Sequence, residues 1–181
     1  IEIEVLTPEQ FELIVTRDDR KSILLDGKTV SLPDFLLPRM GAETSYYALA
    51  VIRHLESLGV HTFNSSQSIE TVKDKLYSHQ ILAKADIAFP KTMLAKYPLN
   101  VDLVEDQFGF PLIVKTLSGS MGSGVFLSGS KSKFIDLMEI IRSTKSNVNF
   151  ILQEFVSTSM GRDLRVIMIG GRAVACMERV A

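Results

Sequence analysis

The sequence predicts an α/β protein, and three observations carry that prediction. Short apolar runs with two-residue alternation recur along the chain, separated by segments whose apolar residues fall at spacings of three and four. Turn dipeptides such as Asp26-Gly27 and Gly170-Gly171 sit between apolar runs, where hairpins need them. A central stretch, Phe110 to Leu127, reads as a buried strand ending in Lys115, a small-residue loop, and a second apolar strand.

The composition bounds the rest. A chain of 181 residues holds one medium domain or two small ones. Hydrophobic content of 46% with 23% charged residues is that of a soluble globular protein. A net charge of −1 without a basic run gives no reason to expect nucleic acid or an anionic membrane. No apolar run is long enough for a membrane span. The single cysteine, Cys176, lies in the apolar run Ala173 to Met177 and reads as a small core residue. One cysteine permits no internal disulfide, so a reducing compartment, the cytoplasm, is expected. The chain opens on Ile1 without a methionine or a signal pattern and stops just after a strand pattern, so it reads as a piece of a longer protein.

Taken in order, Ile1, Ile3 and Val5 alternate with glutamates and predict a strand. Asp26-Gly27 predicts a hairpin over residues 23–32, and Phe35 to Leu37 a short buried strand stopped by Pro38. Arg39 follows at a strand end, where α/β sheets present ligands, but a solvated loop arginine is the simpler reading. Thr44 is the expected N-cap of a helix running to Leu58 and closed by Gly59, with Tyr47, Val51, Leu55 and Leu58 on its packed face. Val60 to Phe63 predict another strand. Residues 69–85 read as one helix with Ile69, Val72, Leu76 and Leu82 inward, and Lys73, Asp74 and Lys75 as a solvated face. His54, His61 and His79 lack metal-ligand spacing and read as structural or surface residues.

Beyond Pro90, Thr92 to Leu94 predict a strand, and residues 97–107 a loop or short helix. Phe134, Leu137, Met138 and Ile141 specify an amphipathic helix. Asn149 to Val156 form a strand that turns polar at Gln153 and Glu154, and Thr158 to Gly161 a turn. A second hairpin turns at Gly170-Gly171, with Asp163 and Arg165 on one face of its first strand.

Lys115 and the loop Gly119-x-x-Gly122-x-Gly124 carry the chemistry. Glycines let the backbone N–H groups form a nest for an anion, and the lysine adds a positive charge, which points to a polyphosphate. A P-loop is excluded because Val125, not Lys and Ser/Thr, follows the last glycine. A dinucleotide fingerprint is excluded by the order of the glycines and by the exit into a strand. Two readings remain open: a strand–loop–strand flap over phosphates, or a glycine-rich hairpin with a lysine at its edge. A protein kinase is disfavoured, since the lysine precedes the loop and no H-R-D or D-F-G follows.

The ordered set Leu37-Pro38-Arg39, Asp74-Lys75, Val114-Lys115, Gly119-x-x-Gly122-x-Gly124, Gln153-Glu154-Phe155-Val156, Asp163-Leu164-Arg165 and Met177-Glu178-Arg179 resembles the RimK-type ATP-grasp carboxylate–amine ligases. That group contains the enzyme that adds glutamates to a small-subunit ribosomal protein. The resemblance implies a pre-ATP-grasp α/β domain at residues 1–66, without its first strand. An incomplete ATP-grasp domain is implied at residues 67–181, comprising its N-terminal and flap portion. The resemblance further implies that Lys75 and Lys115 meet the phosphates of ATP, and that Ser118, Gly119, Ser120, Gly122 and Gly124 form the flap. Glu154, Phe155 and Val156 would form the hinge, with backbone groups and Glu154 reading the adenine edge, Gln153 would join the cofactor contacts, and Asp163 would accept from the ribose hydroxyls. Arg179 and Arg165 would serve catalysis beside the reacting carboxylate.

The implied reaction forms an amide through an acyl phosphate with ATP and Mg2+, the metal ligands being expected beyond residue 181. The implied partners are an amino acid such as glutamate, a protein or small-molecule acceptor, and a homo-oligomeric assembly, with neither nucleic acid nor membrane. The piece itself is not expected to turn over. Ser118 stands where the family pattern has an acidic residue, and Asp86 where it has a glycine. The alternative from another class is a nucleotide-binding regulatory module that never forms an acyl phosphate.

Overall fold

The structure is a computed structural model that describes residues 1–17, 22–41, 44–117, 124–144 and 149–180. Its packing divides into two compact units, Ile1–Ile87 and Ala88–Ala181.

In the first unit, β1 (Phe11–Leu13), β2 (Ile23–Leu25) and β3 (Lys28–Thr29) form an antiparallel sheet. Asp26 and Gly27 turn the β2–β3 hairpin with φ of 49° and 75°, the left-handed pair that matches strand twist. A parallel pair, β4 (Phe35–Leu36) and β5 (His61–Thr62), is joined through α1 (Tyr46–Ser57). Phe11, Ile23, Val51, Leu55 and Val60 are its buried core. The Tyr47 hydroxyl donates to the Phe11 carbonyl, and Ser22 Oγ lies 2.7 Å from His54 Nε2. Helices α2 (Ser66–Lys73) and α3 (Lys75–Lys84) complete the unit.

Helix ends explain these boundaries. Ser45 Oγ accepts from Ala48 N–H at 3.1 Å, so the cap of α1 is Ser45 and not the expected Thr44. At the other end Gly59 (φ 92°) donates to Glu56 O and Val60 donates to Leu55 O, which closes the helix as predicted. The α3 terminus repeats this pair of bonds, Asp86 to Ala83 O and Ile87 to Leu82 O, with Asp86 at φ 55°. Glu56 ties α1 to β5 and to the start of α2. Its Oε1 accepts from Thr62 Oγ1 (2.7 Å) and Ser66 N–H (2.9 Å), and its Oε2 from Ser66 Oγ (2.5 Å). Burial raises its carboxyl pKa, but these bonds and the Arg53 charge outweigh that and hold it below the ordinary value.

Further expectations for this unit are corrected: Phe35 and Leu37 of the expected buried strand, and Tyr47 of the expected packed helix face, are exposed. Residues 1–7 form no strand, and Ile1, Ile3 and Val5 are exposed. Alternation supplies a face but not a partner, and pairing starts at Phe11, which the pattern did not single out. The single helix over 69–85 is two helices broken at Asp74 (ψ 105°), whose side chain caps the second. That break rephases the apolar pattern and leaves Val72 exposed.

The second unit holds β6 (Thr92–Lys96), α4 (Val101–Phe108), β7 (Leu112–Thr116), β8 (Val125–Ser128), α5 (Lys131–Thr144) and β9 (Asn149–Glu154). The strands form an antiparallel sheet ordered β6-β9-β7-β8. Ala95, Leu112, Val114, Phe150 and Leu152 line one face and pack on Val104 of α4 and on Phe134 and Met138 of α5. Residues 101–108 are thus helical, with Asn100 Oδ1 capping Leu103 N–H at 3.1 Å. Lys131 joins the helices, reaching Asp102 and Glu105 at 2.7 Å each. These two bonds push the Lys131 ammonium above its ordinary range, and the same Lys131 bond lowers Asp102.

Strands β10 (Arg162–Ile169) and β11 (Arg172–Val180) form the predicted hairpin about Gly170-Gly171, with both glycines at positive φ. Every residue of both strands is exposed. Cys176 is therefore exposed, not a core residue: its apolar neighbours belong to a two-stranded ribbon, whose faces bury nothing by themselves.

Candidate functional site

The pleat sorts the four-stranded sheet into two faces. Residues with the parity of Leu112, Val114, Phe150 and Leu152 meet the helices, so Ile113, Lys115, Ile151, Gln153, Thr92 and Leu94 share the other face. Leu94 on that face is exposed, as are Val125 and Leu127 of β8, which pair with Lys115 and Ile113. The only lysine of β7 thus stands away from the core, at the strand end that enters the glycine loop.

Lys115 Nζ donates to Gln153 Oε1 at 2.5 Å. Gln153 Nε2 donates to Thr92 Oγ1 at 2.9 Å, and Thr92 Oγ1 donates to the Pro90 carbonyl at 2.7 Å. Gln153 is 5% exposed, so its amide is a buried polar group satisfied at both ends. Gln153, expected among the nucleotide contacts, has its amide hydrogen-bonded to the lysine and to Thr92. Thr92 was not singled out, because only the β6–β9 register brings it opposite Gln153.

The loop is anchored at its base. Thr116 N–H donates to Gly124 O at 2.9 Å, and Gly124 takes φ 76°. A Cβ there would lie 2.1 Å from Thr116 Oγ1, so the position requires glycine for space as well as for φ. Ser118, Gly119, Ser120 and Gly122 lie outside the described residues.

At the expected hinge, Glu154 exchanges two bonds with Lys91: its N–H donates to Lys91 O at 2.9 Å, and its Oε2 accepts from Lys91 N–H at 3.2 Å. Phe155 is half-buried and Val156 exposed. On the hairpin, Asp163 and Arg179 are cross-strand partners joined by two hydrogen bonds, Nε to Oδ1 at 2.7 Å and Nη2 to Oδ2 at 2.8 Å. Those bonds to Asp163 raise the Arg179 pKa further above its ordinary value. Arg165 is exposed opposite Met177.

Lys75 belongs to the first unit, where it is the first residue of α3 and half-buried. Asp74 Oδ1 accepts from Leu76 and Tyr77 N–H at 2.9 Å, which gives the Asp74-Lys75 pair a physical meaning. A cation at a helix start faces the positive end of the dipole, and the capping carboxylate offsets that cost. The carbonyl of Lys75 is 2.5 Å from His79 Nδ1. Arg39 is exposed beyond β4. Among the described residues no group of three or more His, Cys, Asp or Glu could hold a metal ion. Among the described residues, too, no helix is long and apolar enough to cross a membrane.

The RimK-like ATP-grasp domain model matches residues 72–181, and the RimK PreATP-grasp domain model matches residues 1–69. The chain belongs to the RimK-like ATP-grasp family. Its fold is a pre-ATP-grasp domain followed by part of an ATP-grasp domain. A probable alpha-L-glutamate ligase of Maridesulfovibrio salexigens is 34% identical over 98% of this chain, which spans 58% of that protein.

Among solved structures, a RimK domain ATP-grasp protein from Sphaerobacter thermophilus has a TM-score of 0.66 and 19% identity, covering 81% of this chain and 55% of its own. The ATP-grasp ligase PsnB, solved with a precursor peptide and AMPPNP, has a TM-score of 0.65 and 18% identity, covering 93% and 58%. At these identities the two structures speak to fold. The RimK-like chain thus spans a little under three fifths of the curated relative it matches.

Proposed function

We propose that this RimK-like chain is the nucleotide-handling portion of an ATP- and Mg2+-dependent carboxylate–amine ligase. The observation that carries the proposal is the placement of Lys115. It stands on the sheet face opposite the core, at the entrance to the glycine loop, with its ammonium held by the buried Gln153 amide. A fixed cation beside a loop of backbone N–H groups suits the charge of a transferring phosphoryl group.

In this reading the γ-phosphoryl of ATP passes to a substrate carboxylate oxygen, giving an acyl phosphate and ADP. An amine nitrogen then attacks the acyl carbon, phosphate leaves, and a proton is lost from nitrogen to give the amide. Lys75 and Lys115 bind phosphates, the 118–124 loop covers them, and the Glu154–Val156 segment meets adenine. Asp163 takes the ribose, while Arg179 and Arg165 steady the carboxylate. Positioning and charge neutralisation supply the rate, without a protein nucleophile. Magnesium, when bound, neutralises charge on the phosphates, and no described residue is assigned to hold it. The relative named a glutamate ligase supports glutamate as the amine donor, with a protein or a small molecule as the acceptor.

Calorimetric titration with Mg-ATP tests this reading. Lys115→Ala is expected to weaken binding about tenfold, equal to about 1.4 kcal/mol. Unchanged affinity in that variant would remove Lys115 from the phosphate site.

A further inference from the structure

We propose that Thr92 is a positioning residue for Lys115, acting through the orientation of the Gln153 side-chain amide. A glutamine amide has a donor end and an acceptor end of nearly equal shape, so packing alone does not choose between its two orientations. The choice here is made by hydrogen-bond direction. The Thr92 hydroxyl gives its proton to the Pro90 carbonyl, which accepts only, so Thr92 Oγ1 turns a lone pair toward Gln153. That lone pair takes the Nε2 end of the amide, at 2.9 Å. The Oε1 end is then directed at Lys115, where it accepts from Nζ at 2.5 Å.

Lys115, Gln153 and Thr92 each donate in the same sense, toward the Pro90 carbonyl that ends the series. Thr92 and Gln153 are directly paired across β6 and β9, and Lys115 lies diagonally on β7, so the series runs across three adjacent strands. With the hydroxyl gone, the Nε2 end of the amide loses its Thr92 acceptor, and the amide that holds the ammonium is anchored less firmly. Thr92→Val changes only the hydroxyl for a methyl and keeps a β-branched residue in the strand. Thr92→Ser keeps the hydroxyl and loses the methyl.

The direct test is competitive acetylation of this chain with limiting acetic anhydride, with Lys115 modification read by mass spectrometry against the other lysines. Thr92→Val is expected to raise the relative reactivity of Lys115 about tenfold, as the amide that accepts its charge-assisted bond is anchored less firmly. Thr92→Ser is expected to leave it at the wild-type level. Wild-type reactivity in Thr92→Val overturns the inference. Equal increases in both variants also overturn it, because packing and not the hydroxyl would then be responsible.

A second measurement carries the inference to nucleotide binding, and this step rests on the proposed phosphate role of Lys115. Thr92→Val should weaken Mg-ATP binding about tenfold while leaving adenosine binding as it was, and should add nothing in a Lys115→Ala background. If Lys115→Ala itself leaves ATP affinity unchanged, the phosphate role fails, while the acetylation result still decides the positioning claim. If Lys115→Ala weakens binding and Thr92→Val does not, the positioning claim fails alone.

Discussion

Asp163 and Arg179 face each other across the β10–β11 hairpin, the guanidinium gripping the carboxylate through two hydrogen bonds of 2.7 and 2.8 Å. The proposed function gives them different tasks, ribose for one and the reacting carboxylate for the other. Their pairing couples those tasks, since either ligand must compete with the partner already in place.

An exposed ion pair contributes little to folding, so removing either side should leave the unfolding midpoint where it is. Nucleotide binding should separate the two. Asp163→Ala is expected to lower Mg-ATP affinity about tenfold, and Arg179→Ala, which removes the competitor for that carboxylate, not to lower it. Titration of the two variants by calorimetry decides this. Identical affinities would make the pair a brace of the hairpin and nothing more.

The base of the glycine loop gives a sharper structural expectation. Gly124 has φ 76°, and its missing Cβ would sit 2.1 Å from Thr116 Oγ1. Gly124→Ala is expected to destabilise the second unit by about 1–3 kcal/mol through backbone strain and overlap. Thr116→Ala in the same chain removes the overlapping oxygen and should recover part of that loss, leaving the cost of the positive φ. Urea unfolding of the single and double variants measures both parts. Equal midpoints for Gly124→Ala and wild type would mean that the loop base relaxes without penalty.

The α3 terminus shows where a residue departs from its backbone. Asp86 holds φ 55° in the same pair of closing bonds that Gly59 serves at the end of α1. Glycine takes that conformation without steric cost. Asp86→Gly is expected to stabilise the chain by about 0.5–1 kcal/mol, read as a raised thermal midpoint. A lowered midpoint would mean that the Asp86 side chain contributes more than its backbone strain costs.

How much of this was legible in the sequence depends on the range of the interactions. Local signals served well: Asp26-Gly27 and Gly170-Gly171 turn their hairpins, Gly59 ends its helix, and the spacing of Phe134, Leu137, Met138 and Ile141 places α5 on the sheet. Capping chemistry was ambiguous where two candidates were adjacent, as with Thr44 and Ser45, or where a charged residue hid a break, as with Asp74. Apolar character misled wherever burial needs a partner element, as at Ile1, Ile3, Val5 and Cys176. For the candidate site, Lys115 and the loop follow from residue type and spacing. The commitment of Gln153 to Thr92, and of Asp163 to Arg179, follows only from strand register, which no local pattern encodes.

Glu56 supplies a prediction whose sign is fixed by its surroundings. Burial opposes its charge, yet bonds from Ser66 and Thr62 and the Arg53 charge together hold its pKa below the ordinary value. A carboxyl with a lowered folded pKa stabilises the protein above its unfolded pKa, about 4.3 for glutamate, and loses that contribution as pH falls through the folded value. Glu56→Gln keeps the shape but removes the charge, and one of its amide ends becomes a donor facing Ser66 or Thr62. The variant is expected to lose about 1–2 kcal/mol at neutral pH, the scale of a charge-assisted hydrogen bond in a partly buried site. Its stability should then converge on wild type as pH falls from about 4.3 down through the lowered folded value, where the wild-type carboxyl takes up a proton. Chemical denaturation of both proteins between neutral and acid pH provides the comparison. Parallel profiles over the whole range would show that Glu56 contributes its hydrogen bonds without its charge.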